Sequence, residues 1–381
     1  MAAAFALGLA AACTTQPTTS ASDSAASGDT ASQAAADEDV VVGFIYVGPS
    51  DDFGYNQAHA EGAATMGELP GVTIIEEASV PETAAVAETM RSMIEIDGAD
   101  VLFPTSFGYF DPYILELAEE FPSVQFFHAG GLYQDGVHPD NVGSYFSYID
   151  EAQYIAGIVA AHESESGKLG FVAAKPIPQV LRNINSFTLG AQSVNPDITT
   201  QVIFTGDWAL PVKEAEATNS LIDQGADVIN SHVDSPKVVV ETAEKRGVNT
   251  LGYHANQSSL APEGYLTGSE WDWSSIYTRL GEDFVAGNTL MDDSIPHVLR
   301  GGLADNFAKL SPYGPGVSDE AQAAADTALA QLVNGDFVIY QGELKDNEGN
   351  VILAAGESYE QTAPELEQMN WLIEGVDGSI N

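Results

Sequence analysis

A repeated alternation of strand-like and helix-like segments is the feature that most constrains the fold of this chain. VVVGFIYV at residues 40–47 is a continuous run of β-branched and aromatic residues, which is typical of a parallel strand buried on both faces. Repeated βα units of this kind predict a doubly wound parallel sheet. The other strand-like segments of this series are 72–80, 101–105 and 124–130, and the helix-like segments are 57–67, 82–97 and 111–121.

A second series of the same kind begins with KLGFVAA at residues 168–174. Two such series with facing sheet-end loops describe the type I periplasmic-binding fold, an α/β class in which a hinge joins two doubly wound parallel-sheet lobes. No helix-turn-helix pattern precedes them, which argues against the regulators that share this fold. The further strand-like segments are 199–204, 226–231, 249–254 and 264–269, and the helix-like patterns lie near 179–193, 212–224, 236–246 and 274–287.

The two series set the expected domain boundaries. We expect lobe 1 to comprise residues 40–147 plus about 269–292. Lobe 2 is expected to comprise residues 148–268 plus about 293–381.

The first forty residues differ in composition from the rest. Residues 1–12 are small and apolar and lead directly to Cys13, which resembles the end of a lipoprotein signal peptide. Residues 14–39 are rich in Ser, Thr, Ala and Asp and contain no aromatic residue, which predicts a disordered tether. We therefore expect Cys13 to carry a lipid anchor, with a free buried cysteine as the alternative.

The charge balance excludes several kinds of partner. The chain has 56 acidic and 12 basic residues and a formal net charge of −44, so it cannot bind nucleic acid or an anionic membrane surface through a basic patch. Salt relieves self-repulsion on this scale, and we interpret the acidic excess as adaptation to high salt. An ordinary acidic secreted protein is the alternative. The single cysteine excludes an internal disulfide and a thiolate zinc site.

The loops that follow the strands are the candidate binding segments, because ligands of open α/β sheets bind outside the carboxyl ends of the strands. Aromatic rings on opposing lobes can sandwich a planar ligand, at about 1–3 kcal/mol for each ring. The loops are 48–57, 105–113, 173–180, 204–211, 231–236, 253–257 and 267–273.

Three motifs in these loops resemble the basic membrane protein family of ABC substrate-binding lipoproteins, which includes the purine nucleoside receptors. They are VGFIYVGPSDDFGYNQAHAEG, TSFGYFDPYILELAEEFPSVQFFHAGG and GDWALPVKEAEATNSLIDQGADVI, within a match over about residues 40–375. The resemblance implies an extracytoplasmic protein, held at the membrane only by its lipid anchor. It would deliver a small ligand to ABC permease and ATPase subunits, without a cofactor and without catalysis.

The resemblance also implies how a purine is held. Tyr55, followed by Asn56, stands where the family has its first stacking aromatic residue, and Trp208 stands where it has the second. Asp111 matches the carboxylate that hydrogen-bonds the purine edge, although an Asp before a Pro at a helix start is also a typical N-cap. Phe107 belongs to a group of three aromatic residues in the second motif, most of which we expect to pack within the lobe.

Two departures from the family pattern bear on the ligand. His254 stands where nucleoside receptors have an Asp that contacts ribose, and Trp271 stands where they have a Lys with the same role. Losing two hydroxyl-binding groups discriminates strongly against a sugar. We therefore expect a free nucleobase, with adenine first, and keep a nucleoside or a sugar as alternatives.

The remaining polar residues at strand ends allow two interpretations. His232, Asp234 and His254 are of the types that bind zinc, but polar lining of the cleft is the preferred interpretation, with no metal. Trp273 could line the cleft or pack at the hinge. The predicted ligand-binding residues are Tyr55, Asn56, Phe107, Asp111, Trp208, His232, Asp234, His254, Trp271 and Trp273.

Other classes of function fit the sequence less well. A hydrolase is disfavoured because nothing resembles a nucleophile elbow, a P-loop or a metal-ligand spacing motif. A binding protein for a sugar, an amino acid or a signalling molecule is an alternative, as is a sensor or adhesin that works without a transporter.

Overall fold

The computed structural model of the protein describes residues 39–380. The predictions for Cys13 as a lipid anchor and for the tether up to residue 38 lie outside the described residues. Within the described part of the chain, no helix is both long and apolar enough to cross a membrane.

Seventeen strands and ten α-helices make up the regular structure of the described residues. The strands are β1 (Val40–Ile45), β2 (Val72–Glu77), β3 (Val101–Pro104), β4 (Gln125–Ala129), β5 (Val142–Ser147), β6 (Lys168–Ala173), β7 (Thr199–Phe204), β8 (Val228–His232), β9 (Asn249–His254), β10 (Tyr265–Trp271), β11 (Val298–Gly301), β12 (Ala308–Leu310), β13 (Tyr340–Gln341), β14 (Leu344–Lys345), β15 (Val351–Leu353), β16 (Ser358–Tyr359) and β17 (Val376–Asp377). The helices are α1 (Tyr55–Met66), α2 (Ala84–Glu95), α3 (Leu115–Glu120), α4 (Asp150–Glu163), α5 (Pro178–Val194), α6 (Pro211–Asp223), α7 (Lys237–Arg246), α8 (Trp273–Val285), α9 (Asp319–Val333) and α10 (Pro364–Glu367).

Two large sheets organise these elements. The first has the strand order β11-β5-β4-β3-β1-β2, and all of its pairings are parallel. The second has the order β12-β10-β9-β8-β6-β7-β17 and is parallel except where β12 runs antiparallel to β10. The prediction of two doubly wound α/β lobes is confirmed.

The chain passes between the two sheets three times. It leaves the first sheet after β5, returns to it after β10 and leaves it again after β11. These positions differ from the expected lobe boundaries, because β10 remains in the second sheet up to Trp271 and β11 pairs with β5 in the first. The returning segment of lobe 1 is therefore 273–301 rather than about 269–292.

Glycines allow close packing of α4 against α5 in lobe 2. A Cβ added to Gly157 would overlap the carbonyl group of Phe187, and one added to Gly190 would overlap that of Tyr154. Because two helix backbones touch here, neither position can hold a larger residue without a shift of the helices. This contact fixes α5 against α4.

The helix predicted over 111–121 is shorter in the structure. Residues Phe110–Ile114 form a wide helical turn in which Asp111 has extended dihedral angles, and the α-helix comprises only Leu115–Glu120. The residue before a proline is disfavoured in the helical region, which explains why the regular helix does not begin at Asp111.

Candidate ligand-binding cleft

Loops from both sheets meet in a cleft and enclose a small inner cavity of about 40 Å³. Lobe 1 contributes residues at or after the ends of β1, β3, β4 and β5, and lobe 2 contributes residues at or after the ends of β6, β7, β8 and β9. These are carboxyl ends of parallel strands, where ligands of open α/β sheets bind. The lining residues are Tyr55, Ser106, Phe107, Ala129, Phe146, Gln179, Trp208, His232, Asp234 and His254.

The backbone of Asp234 connects the two residues that sequence analysis assigned to stacking. Its N–H group donates to the carbonyl oxygen of Trp208, and its carbonyl oxygen accepts from the N–H group of Tyr55, both at 2.9 Å. The second bond joins the two lobes. Asp234 is therefore held beside both Trp208 and Tyr55 by its main chain.

Further hydrogen bonds fix the loop before α1 against lobe 2. The side chain of Gln257 donates to the carbonyl oxygen of Phe53 at 2.6 Å, and the hydroxyl of Ser235 donates to that of Asp52 at 2.6 Å. Gly54 allows this approach, because an added Cβ would overlap the carbonyl oxygen of Asp234. The structure thus has the two lobes closed on each other at this side of the cleft.

Asn56 supports this loop rather than lining the cavity. Its side-chain oxygen accepts from the N–H group of Gly48 at 3.2 Å, and its amide donates to the carboxylate of Asp52 at 2.8 Å. Asp52 also accepts from the N–H groups of Gly54 and Gln57. The amide of Asn56 is therefore engaged in shaping the turn that presents Tyr55.

The rings of Tyr55 and Trp208 face the inner cavity from opposite lobes. The hydroxyl of Tyr55 donates to the carbonyl oxygen of Thr105 at 2.5 Å, which fixes the orientation of the ring. The ammonium group of Lys175 lies 5.1 Å from the ring centre of Trp208 and 2.8 Å from Asp207. A cation over the face of an indole is attracted to the ring, so the ammonium group of Lys175 holds the Trp208 ring in place.

His254 is a neutral wall of the cavity. The indole N–H group of Trp271 donates to Nδ1 of His254 at 2.6 Å, and Nε2 of His254 donates to the carbonyl oxygen of Val233 at 3.0 Å. Burial lowers the pKa of His254 well below its ordinary value. Both ring nitrogens are engaged, so His254 offers the cavity a ring edge and no hydrogen-bonding atom.

Trp271 and Trp273 lie behind this wall. The rings of these two residues stack at 4.9 Å, Trp271 stacks on His254 at 6.0 Å, and Trp273 stacks on His59 at 5.0 Å. Both tryptophans are buried and neither lines the cavity. Of the two interpretations of Trp273, the structure shows packing.

His232 is likewise engaged by neighbouring side chains. The amide of Asn183 lies 3.0 Å from Nδ1 of His232, and the hydroxyl of Tyr253 lies 3.3 Å from Nε2. Burial lowers the pKa of His232 to about 3. Both ring nitrogens of His232 are therefore occupied, as those of His254 are. Among the described residues, no group of three or more His, Cys, Asp or Glu side chains could hold a metal ion.

Asp111 does not join the other predicted residues. Its side chain is exposed on the wide turn Phe110–Ile114 and does not line the cavity, while Phe110 beside it is buried. The turn packs its aromatic residue inward and leaves the carboxylate in water, where charge is best solvated.

Three polar groups that line the inner cavity have no hydrogen-bond partner among the described residues. They are the carboxyl of Asp234, the side-chain amide of Gln179 and the indole N–H of Trp208. Gln179 was not among the predicted residues, although it lies in one of the strand-end loops. A single amide in a loop gives no sequence signal of the direction in which its side chain points.

The carboxyl of Asp234 lies in an unfavourable place for a negative charge. Burial, together with the negative charges of Asp52, Glu82 and Glu214, raises its pKa to about 8, whereas Lys175 acts in the opposite direction. A desolvated carboxyl near like charges binds its proton more tightly. Asp234 is therefore largely a neutral carboxylic acid at pH 7.

An outer cavity of about 270 Å³ adjoins the inner one, and both are lined by Phe107, Phe146 and Gln179. The buried hydroxyl of Ser147 and the buried Nε of Arg300 lie in its wall, and neither atom has a hydrogen-bond partner among residues 39–380. The outer cavity is largely apolar but offers these two free polar groups besides the amide of Gln179.

One carboxylate fixes the arginines of the outer cavity. Glu367 accepts from Arg182 at 3.2 Å and from Arg300 at 2.6 Å, so it bridges a residue of lobe 2 to one on β11 of lobe 1. Arg182 also pairs with the buried Asp150 at 3.1 Å. The charges here are balanced within the protein.

Comparison with known proteins agrees with this geometry. The model of the Bmp family, described as ABC transporter substrate-binding protein PnrA-like, matches residues 39–297. The chain belongs to this family. Members are substrate-binding proteins of transport systems rather than enzymes. They act outside the cytoplasmic membrane and work with permease and ATPase components.

Two relatives and one solved structure illustrate the relationship. A purine-binding protein of Brucella abortus is 33% identical over 91% of this chain and 95% of its own length. A candidate ABC transporter glucose-binding protein of Haloferax volcanii is 31% identical over 90% of this chain and 82% of its own. The ABC solute-binding protein structure from Aeropyrum pernix K1 has a TM-score of 0.65 at 19% identity and covers 87% of this chain and 98% of its own. The type I periplasmic-binding fold is thereby confirmed.

Proposed function

We propose that this member of the Bmp family captures a purine nucleobase, adenine first, and presents it to an ABC permease. The observation that supports this most directly is the inner cavity, where aromatic rings of both lobes surround a small space with few free polar groups. Each ring stacked on a base contributes about 1–3 kcal/mol. The similarity to a purine-binding protein of Brucella abortus supports the same ligand class.

The remaining parts of the proposal concern the residues and the membrane. Tyr55, Phe107 and Trp208 would contact the base, while His232 and His254 form neutral walls. Cys13 would carry the lipid that tethers the protein outside the membrane, and the acidic surface would suit a high-salt medium.

A sugar fits the inner cavity less well. Hydroxyl groups need several donors and acceptors, but the hydroxyl of Tyr55 and the ring nitrogens of His232 and His254 are already engaged within the protein. A sugar hydroxyl placed against them would lose its hydrogen bonds to water without replacement. The Haloferax volcanii relative makes glucose the necessary comparison ligand.

A purine nucleoside is the second candidate, and the outer cavity is the observation that favours it. The replacement of two ribose-contacting residues by His254 and Trp271 argues against a ribose. The outer cavity provides space of about 270 Å³ next to the base position. Ser147 and Arg300 offer it a free hydroxyl and a free N–H group.

Isothermal titration of the full chain with adenine, adenosine and glucose tests the proposal. We expect adenine to bind most tightly and glucose not to bind. Tighter binding of adenosine, reduced by Ser147→Ala, would identify the nucleoside as the ligand and place its ribose in the outer cavity. Binding of glucose alone would refute both candidates.

A further inference from the structure

The carboxyl of Asp234 lines the inner cavity, and the sequence assigns it no specific contact with the ligand. Its main chain is hydrogen-bonded to Trp208 and Tyr55, so its backbone cannot move away without breaking the contact between the lobes. The carboxyl itself has no hydrogen-bond partner and no ion-pair partner among the described residues. A polar group that faces a cavity without a partner is available to a ligand.

The groups around Asp234 favour its neutral form. Asp52 and Glu82 of lobe 1 and Glu214 of α6 bring three further acidic groups near it. Lys175, the cation that lowers the pKa of Asp234, is already paired with Asp207 at 2.8 Å. His232 and His254, the titratable neighbours in the cavity wall, are neutral and supply no positive charge.

A neutral carboxylic acid has one O–H donor and one carbonyl acceptor side by side. Adenine presents the complementary pair on its edge, a ring nitrogen that accepts and an exocyclic amine that donates. An ionised carboxylate can only accept, so it would leave the ring nitrogen of adenine unpaired.

We propose that the carboxyl of Asp234, which faces the inner cavity without a partner among the described residues, reads the edge of the bound base by donating to a ring nitrogen and accepting from the exocyclic amine. This inference rests on the proposed function and names the residue that selects adenine. It gives Asp234 the role that the family resemblance implied for Asp111. Gln179, whose free amide lies in the same cavity, can contact the remaining edge.

The test is the pH dependence of adenine binding, measured by calorimetry on the full chain between about pH 6 and about pH 9.5. Adenine does not ionise across most of this range. Burial raises the pKa of Asp234 to about 8, and binding through the protonated form holds that proton more tightly. The affinity should therefore be constant below this pKa and fall by about tenfold for each pH unit above it.

Three variants separate recognition from packing. Asp234→Asn keeps the shape and offers both a donor and an acceptor, so it should bind adenine within about threefold of the wild-type affinity and lose the pH dependence. Asp234→Ala should lose at least about tenfold in affinity at every pH. Asp111→Asn is the matched control, since its exposed carboxyl does not line the cavity, and it should behave like the wild type.

The failures of the two proposals are distinguishable. Wild-type protein that binds no adenine at any pH would overturn the proposed function together with this inference. Adenine binding that is independent of pH, that strengthens as the pH rises or that survives Asp234→Ala would overturn the inference alone. A loss of affinity caused by Asp111→Asn but not by Asp234→Ala would return the edge-reading role to Asp111.

Discussion

Gly54→Ala should open the cleft, because the added Cβ would overlap the carbonyl oxygen of Asp234. To relieve that overlap, the loop before α1 must move away from lobe 2. Three hydrogen bonds would be broken, those that join Tyr55 to Asp234, Ser235 to Asp52 and Gln257 to Phe53. At about 0.5–1.5 kcal/mol for each bond, the closed state would lose about 1.5–4.5 kcal/mol.

This loss should appear as weaker ligand binding. At 1.4 kcal/mol for each factor of ten, the affinity for adenine should fall by about tenfold to about a thousandfold. Small-angle scattering should show a larger radius of gyration, because a ligand that contacts both lobes favours the closed form. Gly316→Ala is the matched control, since its Cβ would have only one neighbour, at 3.9 Å. Unchanged affinity and unchanged scattering for Gly54→Ala would refute the assignment of this contact to closure.

Three further predictions address stacking, core charge and salt. Trp208→Ala should weaken adenine binding, measured by calorimetry, by about 1–3 kcal/mol. Trp208→Phe, which keeps an aromatic ring, should keep most of the affinity. Equal affinities of the wild type and Trp208→Ala would contradict stacking. Asp150→Ala should lower the free energy of unfolding, measured in urea, by about 3–5 kcal/mol. The reason is that the buried Arg182 would lose its nearest carboxylate. Glu88→Ala, at an exposed position, is the control, and an equal loss of stability in the two variants would show that the Asp150–Arg182 pair contributes little. The melting temperature should rise between low salt and about 1 M salt, because salt screens the repulsion of a net charge of −44; a flat curve would exclude adaptation to high salt.

The strands of both sheets were largely predictable because parallel strands buried on two faces give continuous apolar runs. β5 was missed because its residues, Val142–Ser147, are all buried yet include glycine and two serines, which break the apolar run. α4 was missed for the opposite reason. Residues 152–160 of that helix are buried on every side, so no amphipathic stripe marks it as a helix.

The candidate site was predictable as a set of loops but not residue by residue. Sequence order places Asp111 and Asp234 equally at strand ends, and only tertiary packing decides that the first faces water and the second faces the cavity. The same holds for Trp271, whose indole N–H group turns to His254 rather than to the ligand space. Which loops form the site follows from the strand topology. The direction of each side chain depends on contacts between residues that are distant in sequence.

A crystal structure of the full chain determined with adenine tests the central claim most directly. The account predicts a base in the inner cavity, packed between Tyr55 or Phe107 of lobe 1 and Trp208 of lobe 2, with its polar edge within hydrogen-bond distance of Asp234. Adenine bound only in the outer cavity, or an inner cavity that takes a sugar in place of adenine, would contradict it.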